Sequence, residues 1–327
     1  MYEEGHTLEL RIEGADPPLV VRVQARPVDF SLSAVMVVDV LSRPDETPLP
    51  SKAFLKLYDR RYATEYRKKQ RLEDWTPELE GKLVEFSRSG AAQSFLKRWQ
   101  DDDDFDDDGS WGVAEKEVCL WDTLNDDFET EVEVYEALEK HQGKLIPQLY
   151  TTVSYFTDPD NGGPVGDSPE LFTVSGILIE YIDGFRMSDM YIFLDRSEWN
   201  YIIDRAVKVT GAILNRSNVL NQDVRPDNML VSRDENAEQG YRIVMIDFGC
   251  CRLRDDDETD AEWGLAKQRQ DEEGAMGEIM KIKLKKQADF VVEYERPRTW
   301  CMYAEGTLPT TTTLAGPAER SKPPGAS

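Results

Sequence analysis

The chain of 327 residues is long enough to bury a substantial core, as one large domain or as two lobes. Its net charge of −25 and pI near 4.5 argue against nucleic acid or an anionic membrane as the main partner, because a negative surface repels phosphate. The lack of a bilayer-length apolar run, a signal-peptide pattern and disulfide-type cysteine spacing predicts a cytoplasmic or nuclear protein.

The first part of the chain predicts strands, because apolar and polar residues alternate at 8–12, 19–25 and 32–41. The stretch 52–59 alternates as well and places Lys56 among bulky side chains. A lysine in an apolar strand costs desolvation energy unless an acid or a phosphate pairs with it. The alternative is that Lys56 lies on an exposed face, and the strand pattern alone leaves both open.

Residues 60–128 have the composition of an insertion. A basic, helix-patterned stretch runs from Arg60 to Glu73, and Thr76 followed by a proline predicts a helix to about Phe86. The run 101–108 then places seven acids in eight positions, which predicts a solvated loop that folds back on the basic stretch. A calcium site is the alternative, but the EF-hand spacing is missing.

Regular structure is predicted again from Phe128, where Val134, Ala137 and Leu138 form the apolar face of a helix. A strand pair is predicted at 145–150 and 151–155, followed by a loop at 158–169. A buried strand at 175–184 and a long helix from Ser197 to Leu214 come next. Further on, the capping box 259–262 opens one helix, and a second helix is predicted at 272–286.

The stretch 221–230 contains the residues with the clearest chemical pattern. Asp223 and Asn228 lie five residues apart before an apolar run, and a second apolar run ends in Asp247-Phe248-Gly249. Asp, Asn and Pro are also common in turns, so these residues by themselves leave a purely structural interpretation open. The order of the parts resembles the catalytic half of a protein kinase. The chain is therefore similar to the protein-kinase-like superfamily, and within it to divergent fungal kinase-like proteins with a shortened C-terminal lobe.

The resemblance implies an α+β fold with two lobes and a nucleotide between them. Residues 1–181 would form a small antiparallel-sheet lobe that carries the insertion at about 60–128. Residues 182–305 would form a mainly helical, shortened lobe with the catalytic loop and Asp-Phe-Gly. Residues 306–327 are rich in Thr, Pro, Gly and Ser and predict a disordered tail.

In the first lobe and at its boundary with the second, the resemblance assigns five residues to ATP. Lys56 would contact the phosphates, as one of the catalytic groups, and Glu131 of the following helix would pair with Lys56. Glu180, Tyr181 and Ile182 would form the hinge, whose backbone groups bond to the adenine edge. An exposed, purely structural Glu131 is the alternative.

In the second lobe the resemblance assigns chemistry to four residues. Asp223 would orient the acceptor hydroxyl and receive its proton, and Arg225 would contact the γ-phosphate. Asn228 and Asp247 would hold Mg²⁺, which prefers oxygen ligands. We therefore predict an ATP- and Mg²⁺-dependent phosphotransferase acting on a protein Ser/Thr or a small-molecule hydroxyl.

Several departures from the kinase pattern favour an alternative, a pseudokinase that serves as a nucleotide-binding or scaffold module. The first lobe has no glycine-rich loop, and the stretch 30–33 is its nearest substitute. Asn221-Gln222 replaces the His-Arg pair, which predicts weaker anchoring of the catalytic loop and removes the arginine that would pair with a phosphorylated activation loop. The chain also has no Ala-Pro-Glu segment.

Overall fold

The structure is a computed structural model that describes residues 2–26, 32–44, 48–102, 105, 109–157, 166 and 168–304. The predicted tail 306–327 and most of the loop 158–169 lie outside these residues, as do parts of the acidic run 101–108. Among the described helices, none is long and apolar enough to cross a membrane.

The first lobe contains a six-stranded antiparallel sheet with the order β1-β2-β3-β4-β6-β5. In β2 the buried side chains of Leu19, Val21 and Val23 alternate with side chains that are partly or fully exposed. Leu55 of β4 and Leu178 of β6 lie in the same core. The strands are β1 (Thr7–Leu10), β2 (Leu19–Ala25), β3 (Ala34–Ser42), β4 (Lys52–Leu57), β5 (Leu149–Phe156) and β6 (Thr173–Glu180).

The inserted segment forms three helices that pack on a fourth. They are α1 (Thr64–Lys69), α2 (Pro77–Arg88), α3 (Ala91–Asp101) and α4 (Val113–Ala137). The predicted start of α2 is confirmed, since the Thr76 side chain accepts a hydrogen bond from the Leu79 N–H. The basic stretch is helical only in α1, which is shorter than predicted.

Helix α4 begins well before Phe128, where the sequence predicted its start. Its first half buries Val118 and Leu120 against the inserted helices, and its second half buries Val134 and Tyr135 in the core near the second lobe. The two halves of this continuous helix thus pack against different hydrophobic clusters. The apolar residues therefore do not follow one face along the whole helix, and its full length is not evident from their spacing.

The strand pair predicted at 145–155 is wrong in its first half. Only β5 forms, and it starts at Leu149. Pro147 lacks the N–H that a sheet strand donates, and the Gln142 side chain accepts the Leu149 N–H at 2.9 Å.

The second lobe combines short strands with two long packed helices. Its sheet has the order β10-β9-β7, and β11 pairs with β8. Helix α6 packs on α8, with Ile202, Ile213 and Met280 in a shared core. The predicted capping box is confirmed, because Thr259 and Glu262 bond reciprocally at the start of α7. The elements are β7 (Gly184–Arg186), α5 (Met190–Phe193), α6 (Trp199–Leu214), β8 (Val219–Asn221), β9 (Met229–Arg233), β10 (Tyr241–Met245), β11 (Cys251–Leu253), α7 (Asp260–Gln270) and α8 (Glu272–Ala288).

The predicted α+β architecture is confirmed: an antiparallel sheet with four helices lies before a mainly helical lobe. We propose the lobe boundary after Tyr181, where β6 has ended and the chain enters the second lobe. This arrangement brings β4, the end of α4 and the segment after β10 to one cleft.

Candidate active site

A cavity of about 360 Å³ lies between the two lobes. One wall comes from the sheet, including Val35 and Phe54, and the opposite wall includes Leu230 and Ile246 of the second lobe. Apolar walls with a few polar groups are typical of small-molecule sites. Seven predicted site residues line the cavity: Lys56, Glu131, Glu180, Tyr181, Ile182, Asn228 and Asp247.

Three charged side chains meet at the inner end of this cavity, and we call them the cleft cluster: Lys56, Glu131 and Asp247. The Lys56 ammonium donates to Glu131 Oε2 at 2.5 Å and to Asp247 Oδ1 at 2.7 Å. Lys56 and Glu131 are buried, whereas 35% of the Asp247 side chain is exposed. The exposed-face alternative for Lys56 and the exposed alternative for Glu131 are therefore both wrong.

The cleft cluster holds its lysine charged. Burial lowers the pKa of Lys56, but the carboxylates of Asp247 and Glu131 outweigh burial and raise it well above its usual value. The Lys56 charge in turn lowers the pKa of Asp247. One cation faces two carboxylates, so the cluster carries a formal excess of one negative charge.

The backbone at Asp247 is left-handed, with φ of 66°. A non-glycine residue in this region costs conformational energy, and such residues concentrate at functional sites. Here the unusual backbone turns the Asp247 carboxylate toward Lys56 and the cavity.

Sequence reasoning missed Tyr58, which completes the pairing of Glu131. The Tyr58 hydroxyl donates to Glu131 Oε2, and burial raises the pKa of the phenol. Residues two apart along an extended segment share a face, so the Lys56–Tyr58 spacing was the available signal. Without a partner in view, that spacing does not distinguish Tyr58 from an ordinary core tyrosine.

At the hinge, the Glu180 side chain is engaged in a contact that the sequence did not predict. Its carboxylate accepts two bonds from Arg242 on β10, at 2.6 and 3.0 Å, and its N–H donates to the Gln148 carbonyl at 2.8 Å. The side chain of Glu180 therefore ties the hinge to the second lobe, while Tyr181 and Ile182 continue along the cavity wall.

Asp223 and Arg225 lie outside the cavity lining but are linked to it. The Asn228 side-chain amide donates to Asp223 Oδ2 at 3.0 Å, and the Arg225 guanidinium lies 3.1 Å from the same oxygen. Both Asp223 and Arg225 are partly exposed. Of the four residues predicted for the second lobe, the structure thus places Asn228 and Asp247 in the cavity and Asp223 and Arg225 beside it.

The expected weak anchoring at Asn221 is wrong. Asn221 is buried, its backbone N–H donates to Glu272 Oε1 at 2.7 Å, and its side-chain oxygen accepts the Asp223 N–H at 2.8 Å. Lys267 donates to Glu272 Oε2 at 2.6 Å and so holds the acceptor in place. The amide of Asn221 thereby fixes the backbone directly before Asp223.

The donor set near the cavity suits magnesium. Asp247 offers a carboxylate and Asn228 an amide oxygen, and Mg²⁺ commonly binds one or two protein oxygens together with water and phosphate. The excess negative charge of the cleft cluster favours a divalent cation at the open side of Asp247. Leu32 and Ser33 line the cavity on the sheet side, whereas Phe30 and Ser31 of the predicted loop substitute lie outside the described residues.

No protein-family model matches the sequence, and no curated protein does. Among solved structures, the chain is similar to the Rio2 kinase of Chaetomium thermophilum in complex with ADP/Mg²⁺-phosphoaspartate, at 13% identity and a TM-score of 0.42. The match covers 84% of this chain and 59% of that kinase, so the chain spans about three-fifths of its length. The PknI kinase domain of Mycobacterium tuberculosis matches at 14% identity, with a TM-score of 0.36 and coverage of 84% and 75%.

Proposed function

We propose that the protein is an ATP- and Mg²⁺-dependent phosphotransferase that transfers the γ-phosphate to a hydroxyl of a protein Ser/Thr or of a small molecule. One observation carries the proposal: the Lys56 ammonium, held between Glu131 and Asp247, lies at the inner end of an apolar-walled cavity. A charged lysine at this place attracts phosphate, and Asp247 beside it attracts the metal that accompanies phosphate.

In this proposal the cavity holds the nucleotide in a fixed orientation. The apolar walls enclose the base, and the backbone at Tyr181 and Ile182 bonds to its edge. Lys56 contacts the phosphates, with Glu131 and Tyr58 keeping the ammonium in place. Asn228 and Asp247 would hold Mg²⁺, which when bound would supply positive charge to the transferring phosphate.

Asp223 receives the proton of the acceptor hydroxyl. The Asn228 amide and the Asn221 side chain hold Asp223 from two sides, so the base is fixed at the edge of the cavity. Arg225, now paired with Asp223, is half exposed and has room to turn toward the γ-phosphate. Because phosphoryl transfer proceeds through a loose, anionic transition state, positioning and charge neutralisation supply most of the catalysis.

The second candidate is a pseudokinase that binds nucleotide or serves as a scaffold. The Arg225–Asp223 contact favours it, because the guanidinium lies on the carboxylate oxygen that an acceptor hydroxyl would have to approach. The lack of a glycine-rich loop and the Gln222 substitution favour it as well.

Thermal unfolding with and without Mg²⁺-ATP, followed by transfer assays on protein and small-molecule hydroxyls, tests the proposal. Nucleotide at 100 times its dissociation constant should stabilise the fold by about 2.7 kcal/mol. Asp223→Asn should keep this stabilisation and lose about 10²–10⁴-fold in transfer rate.

Asp204→Asn is the matched control, since Asp204 is an exposed acid on α6 that pairs with Lys208. It should change neither the stabilisation by Mg²⁺-ATP nor the transfer rate. Stabilisation without transfer would support the nucleotide-binding pseudokinase. No stabilisation at all would overturn the phosphotransferase and leave the scaffold as the remaining candidate.

A further inference from the structure

Four of the acids along α4 are each held by residues that precede the helix. Glu117, Asp122 and Asp127 are held by the inserted segment, whereas Glu131 is held by β4 and the residue after it. The bonds come to Glu117 from Arg60 and Arg67, to Asp122 from Trp99 and Gln100, to Asp127 from Tyr66, and to Glu131 from Lys56 and Tyr58.

The bond nearest to the cleft cluster joins α1 to α4. The Tyr66 hydroxyl donates to Asp127 Oδ2 at 2.7 Å. Asp127 lies four residues before Glu131, so the two acids occupy the same face of the helix one turn apart. Tyr66 also packs against the apolar cluster of Leu120 and Leu124.

The other end of α4 is held by a closed set of charges that we call the insertion cluster: Arg60, Arg67, Glu80 and Glu117. Arg60 bonds to Glu80 at 2.7 Å and to Glu117 at 2.8 Å, and all four side chains are at most 8% exposed. Arg60 and Arg67 thus have acidic partners on α2 and α4, whereas most of the acidic run 101–108 lies outside the described residues, so its contact with the basic stretch stays a prediction. A charge-matched, buried cluster gives α1 and α2 a defined position on α4.

We propose that Tyr66 is a positioning residue for Lys56: by holding Asp127, it keeps Glu131 at the distance that orients the Lys56 ammonium toward the nucleotide. The inserted helices α1–α3 thus act as a built-in clamp on α4. This inference rests on the proposed function.

Tyr66→Phe tests this role, because it keeps the ring and removes only the hydroxyl. We expect Mg²⁺-ATP affinity to fall about 3- to 10-fold, because Tyr66 acts on Lys56 indirectly and only part of the free energy of a hydrogen bond to a charged group is transmitted. Amide hydrogen exchange in the second half of α4 should become faster, while the melting temperature without nucleotide changes little.

Tyr201→Phe is the matched control, since the Tyr201 hydroxyl donates to the Glu238 carbonyl at 2.8 Å, a bond that lies within the second lobe. It should leave affinity and α4 exchange unchanged. Asp127→Asn keeps an oxygen acceptor for Tyr66 and should bind nucleotide nearly as wild type, whereas Asp127→Ala should reproduce Tyr66→Phe. Trp99→Phe removes a bond to Asp122, which lies farther from Glu131. It should lower nucleotide affinity and speed exchange in α4, but less than Tyr66→Phe does.

The exchange measurement separates this inference from the proposed function, because it needs no nucleotide. If the wild-type protein does not bind Mg²⁺-ATP, the proposed function fails, and faster exchange around Glu131 in Tyr66→Phe still supports the clamp. Exchange and nucleotide affinity in Tyr66→Phe that match those of Tyr201→Phe would overturn the inference, even if the melting temperature falls.

Discussion

The insertion cluster and the cleft cluster are both built from buried charges, yet they differ in balance and in access. The insertion cluster has two arginines for two glutamates, all buried. The cleft cluster has one lysine for two carboxylates. Asp247 has a left-handed backbone, and its partly exposed side chain lines the cavity. A matched and closed set of charges serves the fold, whereas an unmatched and open set has room for a further cation and for phosphate.

The largest expected effect falls on the insertion cluster. Glu117→Ala leaves two buried arginines without their shared carboxylate, and we expect the free energy of unfolding to fall by about 3–5 kcal/mol. Urea unfolding measures this loss. Glu129→Ala, at an exposed acid of the same helix, should change stability by less than about 0.5 kcal/mol. A loss below about 1 kcal/mol in Glu117→Ala would contradict the structural role of the cluster.

The next effect sharpens the contrast at the cleft cluster. Asp247→Asn retains an oxygen but not the charge, and Lys56 keeps Glu131 as a partner. We expect most of the roughly 2.7 kcal/mol of Mg²⁺-ATP stabilisation to disappear, with a much smaller change in the unliganded protein. Thermal unfolding with ATP, with and without Mg²⁺, measures this, and Asp257→Asn at an exposed acid is the control. Unchanged Mg²⁺ dependence in Asp247→Asn would remove Asp247 from the metal site.

The smallest effect concerns the link between the two regions. Burial raises the pKa of Asp127 to about 6, although the bond from Tyr66 and the charge of Lys56 lower it. The folded protein therefore binds more protons than the unfolded chain between about pH 4 and pH 6, so stability falls as pH rises through this window. Asp127→Asn should remove this decrease and gain less than about 1 kcal/mol over wild type at about pH 7.5, since the site is partly solvated.

Unfolding free energies of both proteins at about pH 4.5 and about pH 7.5 check the sign. If Asp127→Asn gains more unfolding free energy over wild type at the lower pH than at the higher, the pKa of Asp127 in the folded protein is lowered instead of raised.

Local sequence predicted the elements whose signals lie within one segment. The alternation around Lys56, the cap at Thr76, the capping box at Thr259 and the Asp223–Asn228 spacing each depend on neighbours in the chain. The same kind of signal predicted a strand at 145–148 that does not form, because the Gln142 side chain bonds to the Leu149 backbone. It also placed the start of α4 at Phe128, too late in the chain, because the first half of α4 packs against the inserted helices. The roles of the nine predicted site residues stay predictions.

The sequence by itself thus determined the order of the lobes and the chemical groups available to the cleft, since residue identity and periodicity are local properties. The tertiary structure alone decided which charges pair with which: Glu131 with Lys56 and Tyr58, Glu117 with two arginines, and Glu180 with Arg242. These partners lie far apart in the chain, and the residues next to a carboxylate in the sequence do not indicate which group it pairs with. Only the packing of α4 between the insertion and the sheet sets which acids are buried, and burial determines how much each charge pair matters.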